Sequence, residues 1–378
     1  TWFGGALDRS PFHGKWPACF SFPQANLRRK FGPSWKEAFA LFSHRRLRSW
    51  GLNTFGNWTE NWVYKAARTP YVVAIYYARP EIQGHKGFWS SFPDPFDPGF
   101  RAAVSARMAQ EGGRDGSSQD PWCLGYFVDN EMTFGEPGAL AQAVLGAPSK
   151  QPAKIRFVDE LQTRYRDVER LNALWGTRYP TWQALLNGSS PPDPGQGKAD
   201  LEAFSLAIAE EYFRIVREEV KKVAPYTPYL GCRFVQSWAN DGVIRVAARY
   251  CDVLSYSIYD MSASDFRLPE GLDVPVLIGE FHFGSLDRGL FHPGLVAVNT
   301  QEDRARAYVD YVTGVLKHPS FVGCQWFQFQ DEPATGRSLD GENWQIGFVD
   351  VADNPYPEIV AAARRMGASL YSLRSRAP

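Results

Sequence analysis

Residues 120–131 read DPWCLGYFVDNE. The six residues 123–128 are apolar apart from one glycine, without polar alternation, and the run then breaks into Asp129, Asn130 and Glu131. A short continuous apolar run ending in polar residues is the pattern of a parallel strand covered on both faces. The pattern recurs at 18–22 (ACFSF), 54–58 (TFGNW), 71–77 (YVVAIYY), 229–234 (YLGCRF), 253–258 (VLSYSI), 276–279 (VLIG) and 321–327 (FVGCQWF). Between these runs lie helical stripes. One covers 35–50, with Trp35, Phe39, Phe42, Leu47 and Trp50 inward and Ser34 as N-cap. Another covers 200–224, with Leu201, Phe204, Ile208, Phe213, Ile215, Val216, Val220 and Val223 inward and Pro225 as its stop; a third covers 302–316.

Eight such strands separated by helices predict an α/β chain folded as a (β/α)8 TIM barrel, with a doubly wound open sheet as the alternative. The fourth and fifth strands are separated by about 100 residues, which include a helical stretch at 155–175 and a Pro/Gly loop at 188–198. No break in composition accompanies that stretch, so it reads as an enlarged connection after strand 4 within one catalytic domain spanning 1–378.

Composition removes several classes of function. Lys and Arg total 41 and Asp and Glu total 41, so there is no basic excess for nucleic acid or an anionic membrane surface. No apolar run approaches the roughly 18 residues that a membrane span needs. The five cysteines (Cys19, Cys123, Cys232, Cys251, Cys324) are scattered without CxxC spacing, which argues against a disulfide framework or zinc ribbon. Aromatic residues reach 15%, with 13 Trp, more than a core ordinarily needs. Part of that excess is expected to line a surface for sugar faces. The chain begins at Thr1 and shows no leader pattern, so the expectation is either that a leader or an upstream module has been removed or that the chain has been cut, with an upstream module trimmed or never present.

In a barrel of this type, chemistry gathers at the C-terminal ends of the strands. Two of those ends carry glutamates: Glu131 after strand four, preceded by Asn130, and Glu280 after strand seven. A lone strand-end glutamate is most simply a solvated charge. Two of them at these strands, facing across the barrel mouth, suit a retaining glycosidase, in which one carboxylate attacks the anomeric carbon and the other carboxyl protonates the leaving oxygen. HExxH, Walker, GxSxG and GxGxxG patterns are all missing, and the six histidines (His13, His44, His85, His282, His292, His318) are dispersed, so neither metal nor cofactor is expected.

The segments WGLNTFGNW (50–58), PFDPGF (95–100), DPWCLGYFVDNE (120–131), GCRF (231–234), GEFHFGSLDRGLFHPGL (279–295) and TGRSLDGENWQIGFVD (335–350) resemble glycoside hydrolase family 50, the β-agarases of clan A. The segment LNALWGTRYPTWQALL (171–186) also resembles family 42 β-galactosidases. The resemblance runs from about residue 18 to 365, and it departs from many members in lacking an N-terminal β-sandwich.

The resemblance implies Glu131 as acid/base, its proton retained with help from the charge of Glu280, and Glu280 as nucleophile. Asn130 is implied to bond the hydroxyl beside the anomeric carbon. A strand-six tyrosine donates to the nucleophile in this clan, and both Tyr256 and Tyr259 qualify. Further candidates for substrate binding are Arg233 at the end of strand five, His282, Trp326 as a stacking platform, and Asn57, Trp58 and His85 as subsite lining. Arg233 is equally open to a rim ion pair, and His282 to a satisfied wall histidine. Asn57-Trp58-Thr59 is formally a glycosylation sequon, but a barrel-mouth position disfavours that use. The implied substrate is agarose or its oligosaccharides, cleaved at β-1,4 bonds, with exo action and a secreted or periplasmic location expected. A β-galactosidase-like enzyme and a non-catalytic carbohydrate binder are the alternatives. Zero net charge suits a neutral galactan better than a sulfated one.

Overall fold

A computed structural model describes residues 7–8, 19–193, 195–289, 291–337 and 339–376. His13, Ala18, Pro194, Leu290 and Ser338, which fall within the readings above, lie outside them, as does the side chain of Cys19. The fold is mixed α/β with parallel strands, and the chain divides into two compact units. One comprises residues 1–72, 258–267 and 277–378; the other comprises 73–257 and 268–276. No helix among the described residues is long and apolar enough to cross a membrane.

The second unit is organised around Cys123–Val128, whose burial is nearly complete along the strand. It pairs with Tyr71–Ile75 on one side. On the other it runs beside residues 228–232, through Tyr126 N to Pro228 O at 3.0 Å, Leu230 N to Tyr126 O at 2.8 Å and Val128 N to Gly231 O at 3.0 Å, with a parallel bridge between Tyr126 and Tyr229. Phe234–Val235 then pairs in parallel with Leu254–Ser257, Phe234 opposite Tyr256.

The helix Lys198–Val223 buries the stripe read from the sequence except Val223, which is half-buried, and stops two residues before Pro225, which cannot continue a helix. Pro98–Glu111 opens with Asp97 as N-cap, its Oδ1 accepting from Gly99 N at 2.7 Å, and with Pro98 in the first turn. The single helix expected over 155–175 is two, Pro152–Tyr165 and Val168–Trp175, because Arg166 turns to φ +62° and Asp167 caps the second.

In the first unit the opening strand of the sequence reading is corrected. Cys19–Phe20 pairs antiparallel with Leu7–Asp8, and Phe22 already begins the helix Phe22–Phe31. Ser21 caps that helix and Pro23 fits its first turn, so the aromatic run was a helix start. The second expected strand, 54–58, shrinks to a parallel bridge between Phe55 and Tyr71, with Phe55 N donating to Pro70 O at 2.9 Å.

Trp35–Ser49 forms the expected helix. Ser34 occupies its N-cap position but makes no side-chain cap bond, and Phe42 is exposed rather than inward. Phe321–Trp326 runs beside Val276–Phe281, continued by Phe327 N to Phe281 O at 3.0 Å, and Ile258 N donates to Glu280 O at 3.0 Å. Gln301–Lys317 is capped by Thr300, which accepts from Asp303 N at 3.1 Å. Cys123, Cys232 and Cys251 are buried free thiols and Cys324 is half-buried. Burial pushes the Cys123 thiol up to about 11, so these are inert packing groups.

Candidate active site

Glu131 belongs to the second unit and Glu280 to the first. Around Glu131 the backbone is unusual. Asp129, Glu131 and Arg233 all sit at positive φ, +59°, +47° and +53°, a conformation that costs non-glycine residues about 1–3 kcal/mol each. Their amides are tied down: Asp129 N to Ile75 O at 3.1 Å, Glu131 N to Cys232 O at 2.9 Å, and Arg233 N to Ser255 Oγ at 3.0 Å.

Buried Asp129 is consumed by structure. Arg79 pairs with its Oδ1 at 2.8 Å, while Tyr77 and Tyr212 donate to Oδ2 at 3.0 and 2.7 Å. Burial, then the charge of Asp129, pushes both phenols well above their usual range, so they stay donors. Arg233, fully buried and lying over Phe127, directs Nε and Nη2 at Oδ1 of Asn130, at 2.9 and 2.5 Å. A guanidinium can only donate, so this fork fixes which end of the Asn130 amide is oxygen and turns its NH2 the other way. Arg233 thus holds the Asn130 amide.

The indole N–H of Trp89 donates to Oε2 of Glu131 at 2.8 Å. This donor orients the carboxyl and stabilises its charged form. Trp89 sits at the tip of a hairpin whose residues 81 and 93 form an antiparallel bridge. Gln151 locks the hairpin base by accepting from Gln83 N and donating to Asp94 Oδ2. Gly87 is required at the tip, because a Cβ there would lie 2.0 Å from Ser90 O. His85 spends its ring nitrogens on the loop itself. Nδ1 accepts from Phe92 N at 3.0 Å and the ring also bonds the Thr133 backbone, while burial lowers its pKa. The expectation that His85 binds substrate is corrected to a staple of the loop that presents Trp89.

Around Glu280, the Trp58 indole N–H donates to Oε1 at 2.6 Å and the Tyr259 hydroxyl to Oε2 at 2.5 Å. Both carboxyl oxygens accept. The choice between the two tyrosines is resolved: Tyr259 holds Glu280, whereas Tyr256 is buried against Phe234 in the other unit, its phenol raised by burial. Asn57 is buried, which removes the sequon from consideration.

His282 lies fully buried beside Tyr259. Its Nδ1 bonds Phe327 O at 2.9 Å, Nε2 accepts from Leu295 N at 2.8 Å, and burial lowers its pKa to about 3. Gly294, at φ +76°, makes room for this ring, since a Cβ there would lie 2.5 Å from Nε2. His282 is therefore a neutral wall histidine with no ring nitrogen left for a sugar. The indole N–H of Trp326 bonds Ile346 O at 2.8 Å, and its ring packs edge-on against Phe281, Tyr308 and Phe348 with the Arg304 guanidinium 5.5 Å away. These contacts fix the orientation of a half-buried ring.

Comparison with known proteins follows the same lines. The chain is 37% identical over 373 residues to β-agarase B of Vibrio sp. (strain JT0107), an alignment that takes in 94% of this chain and 39% of that protein. It superposes on the structure of an exo-β-agarase with a TM-score of 0.88 and 34% identity, over 95% of this chain and 51% of the other. The agarase AgWH50C gives a TM-score of 0.88 and 36% identity, over 98% of this chain and 55% of the other.

The chain belongs to glycoside hydrolase family 50.

No protein-family model matches it. It spans about four-tenths of the curated relative's length and about half of each solved family 50 chain. Within that family assignment, sequence reading missed Trp89 and the network that Arg79, Tyr77 and Tyr212 build on Asp129. Asp129 carried a weak signal, standing in the polar break beside Glu131. Trp89 carried none beyond its place in an aromatic loop that already contained His85.

Proposed function

We propose that this chain is the catalytic region of a retaining β-agarase, cleaving β-1,4-galactosidic bonds of agarose or agaro-oligosaccharides from a chain end. The observation that carries this reading is the pair of donors on Glu280, Trp58 and Tyr259, which holds a carboxylate ready as a nucleophile. The family membership supports the substrate, and the superpositions support closure of the strands into a (β/α)8 barrel in one catalytic domain with an enlarged connection over 129–228. A polysaccharide substrate, too large to cross a membrane, supports a secreted or periplasmic location.

Glu280 attacks the anomeric carbon while Glu131 passes its carboxyl proton to the departing glycosidic oxygen, and the C–O bond breaks with its electron pair going to that oxygen. Glu131, now a carboxylate, takes a proton from water, whose oxygen displaces Glu280 and restores both groups. The Asn130 NH2, aimed by Arg233, donates to the hydroxyl beside the anomeric carbon, a bond that strengthens as positive charge develops on the ring. No step requires a metal or cofactor, since the two carboxyl groups supply nucleophile and proton.

The roles are separated by azide. With Glu280→Ala and an activated aryl glycoside, azide takes the place of the carboxylate and the product is the inverted α-glycosyl azide. With Glu131→Ala the glycosyl-enzyme still forms and azide gives the β-product. The same configuration from both variants, or no azide product from either, overturns the assignment. Incubation with agarose, neoagaro-oligosaccharides and a nitrophenyl β-galactoside identifies the substrate. Turnover of the aryl galactoside alone favours a β-galactosidase, and binding of all three without turnover favours a lectin-like protein.

A further inference from the structure

The hairpin that carries Trp89 exposes more apolar surface than its packing explains. Its base is rigid: Ile82 N donates to Phe92 O at 2.8 Å, Asp94 N donates to Pro80 O at 3.0 Å, and Ile82, Phe92 and Asp94 are buried. At its tip Phe88 is 68% and Trp89 43% exposed. Phe88 is nonetheless held in place. Its N–H donates to Thr133 Oγ1 at 3.1 Å, and its ring lies 5.0 Å from Trp238 at 31° and 4.9 Å from Trp89 at 83°. Trp238 is fixed to the same strand end, because its carbonyl accepts from Phe134 N at 2.8 Å and Gly135 N at 2.9 Å. An ordered, exposed aromatic surface beside a polar group is the make-up of a ligand site rather than of a packing face.

We propose that Phe88, Trp89 and Trp238 form a shelf for the sugar ring on the leaving-group side of the scissile bond. This rests on the proposed role of Glu131. The carboxyl that protonates the glycosidic oxygen lies beside the ring departing with that oxygen, and the Trp89 N–H ties the shelf to that carboxyl. A pyranose presents a face of C–H groups that stacks on aromatic rings, and its rim hydroxyls remain in water. A galactose or anhydrogalactose ring, uncharged and with an apolar C–H face, is the occupant whose chemistry fits a shelf of three aromatic side chains.

The test uses Phe88→Ala and Trp238→Ala, neither of which alters a residue bonded to Glu131. On a neoagaro-oligosaccharide, kcat/KM falls about 10-fold in each variant, against a change several-fold smaller on the corresponding glycosyl fluoride, whose leaving group is too small to reach the shelf. An equal loss on both substrates, or no loss on the oligosaccharide, overturns the proposal. Binding without turnover is read by titrating the intact protein with the oligosaccharide and following tryptophan fluorescence, with thermal melting as the check on folding. Variants that melt like the parent and bind about 10-fold more weakly uphold the shelf even where no hydrolysis is seen, in which case it is the proposed function that fails. Unchanged affinity in both variants overturns the shelf even where hydrolysis is intact.

Discussion

The indole nitrogen of Trp89 stands 2.8 Å from Oε2 of Glu131, across 42 residues of chain, in the same unit of the fold. The donor that orients this carboxyl is a loop side chain that is itself 43% exposed. Glu280 is held by the same kind of group, Trp58, together with the phenol of Tyr259.

Trp89→Phe keeps the ring and removes the donor. The expected result is a loss of about 10- to 100-fold in kcat/KM on oligosaccharides, whose leaving group needs a full proton. The loss on an aryl galactoside with a good leaving group is several-fold smaller. Parallel rate measurements on the two substrates check it, and equal losses would remove Trp89 from the proton-transfer step.

Tyr259→Phe should lower kcat/KM by about 100-fold with little change in melting temperature, since it deletes one donor to Glu280, the proposed nucleophile. Tyr256→Phe, three residues earlier and buried against Phe234, should keep kcat within about 3-fold and act on stability instead. Steady-state kinetics on the two purified variants distinguishes them, and the reverse ranking would reassign the nucleophile's partner.

Arg233 acts through Asn130. Arg233→Lys replaces a two-pronged fork by a point donor and should cost about 10-fold or more in kcat/KM, as Asn130→Ala does. In the double variant the two losses should not add, because both remove the same presentation of the amide. A double-mutant cycle measures this, and full additivity would separate the two residues.

His282 makes stability depend on pH. Its pKa is about 3 in the fold, against about 6.5 unfolded. Between those values the unfolded chain binds the extra proton, so stability is present above about pH 6.5 and falls as the pH drops toward 3, by up to about 1.4 kcal/mol per pH unit from this group. Asp331 opposes it. Burial raises its carboxyl to about 6, so its contribution is lost as pH rises through that value. His282→Gln, which can still accept from Leu295 N, should flatten the acid-side decline in melting temperature relative to the parent. Melting curves from pH 4 to 7 test this, and identical slopes would show that the ring is not what titrates.

Both glutamates were legible because each ends an apolar strand run with an abrupt polar residue, a signal written locally in a few positions. The helix Lys198–Val223 was legible for the same kind of reason, a 3.6-residue stripe ended by Pro225. The first strand was misread because an aromatic run before Pro23 satisfies a strand pattern and a capped helix start equally well. His282 was misassigned because a polar residue at a strand end points to solvent or to core according to what surrounds it. Here Phe327 O and Leu295 N take both of its ring nitrogens.

The sequence by itself determined the alternation of strands and helices, the family, and the two carboxyl groups, since each is carried by residues close together in the chain. The tertiary structure alone decided what holds those groups: Trp89 on Glu131, Trp58 and Tyr259 on Glu280, and Arg233 on Asn130. These partners lie between 21 and 222 residues apart in the chain. Hydrogen-bond partners at that separation are set by how strands register and loops return, which no local pattern of hydrophobicity encodes.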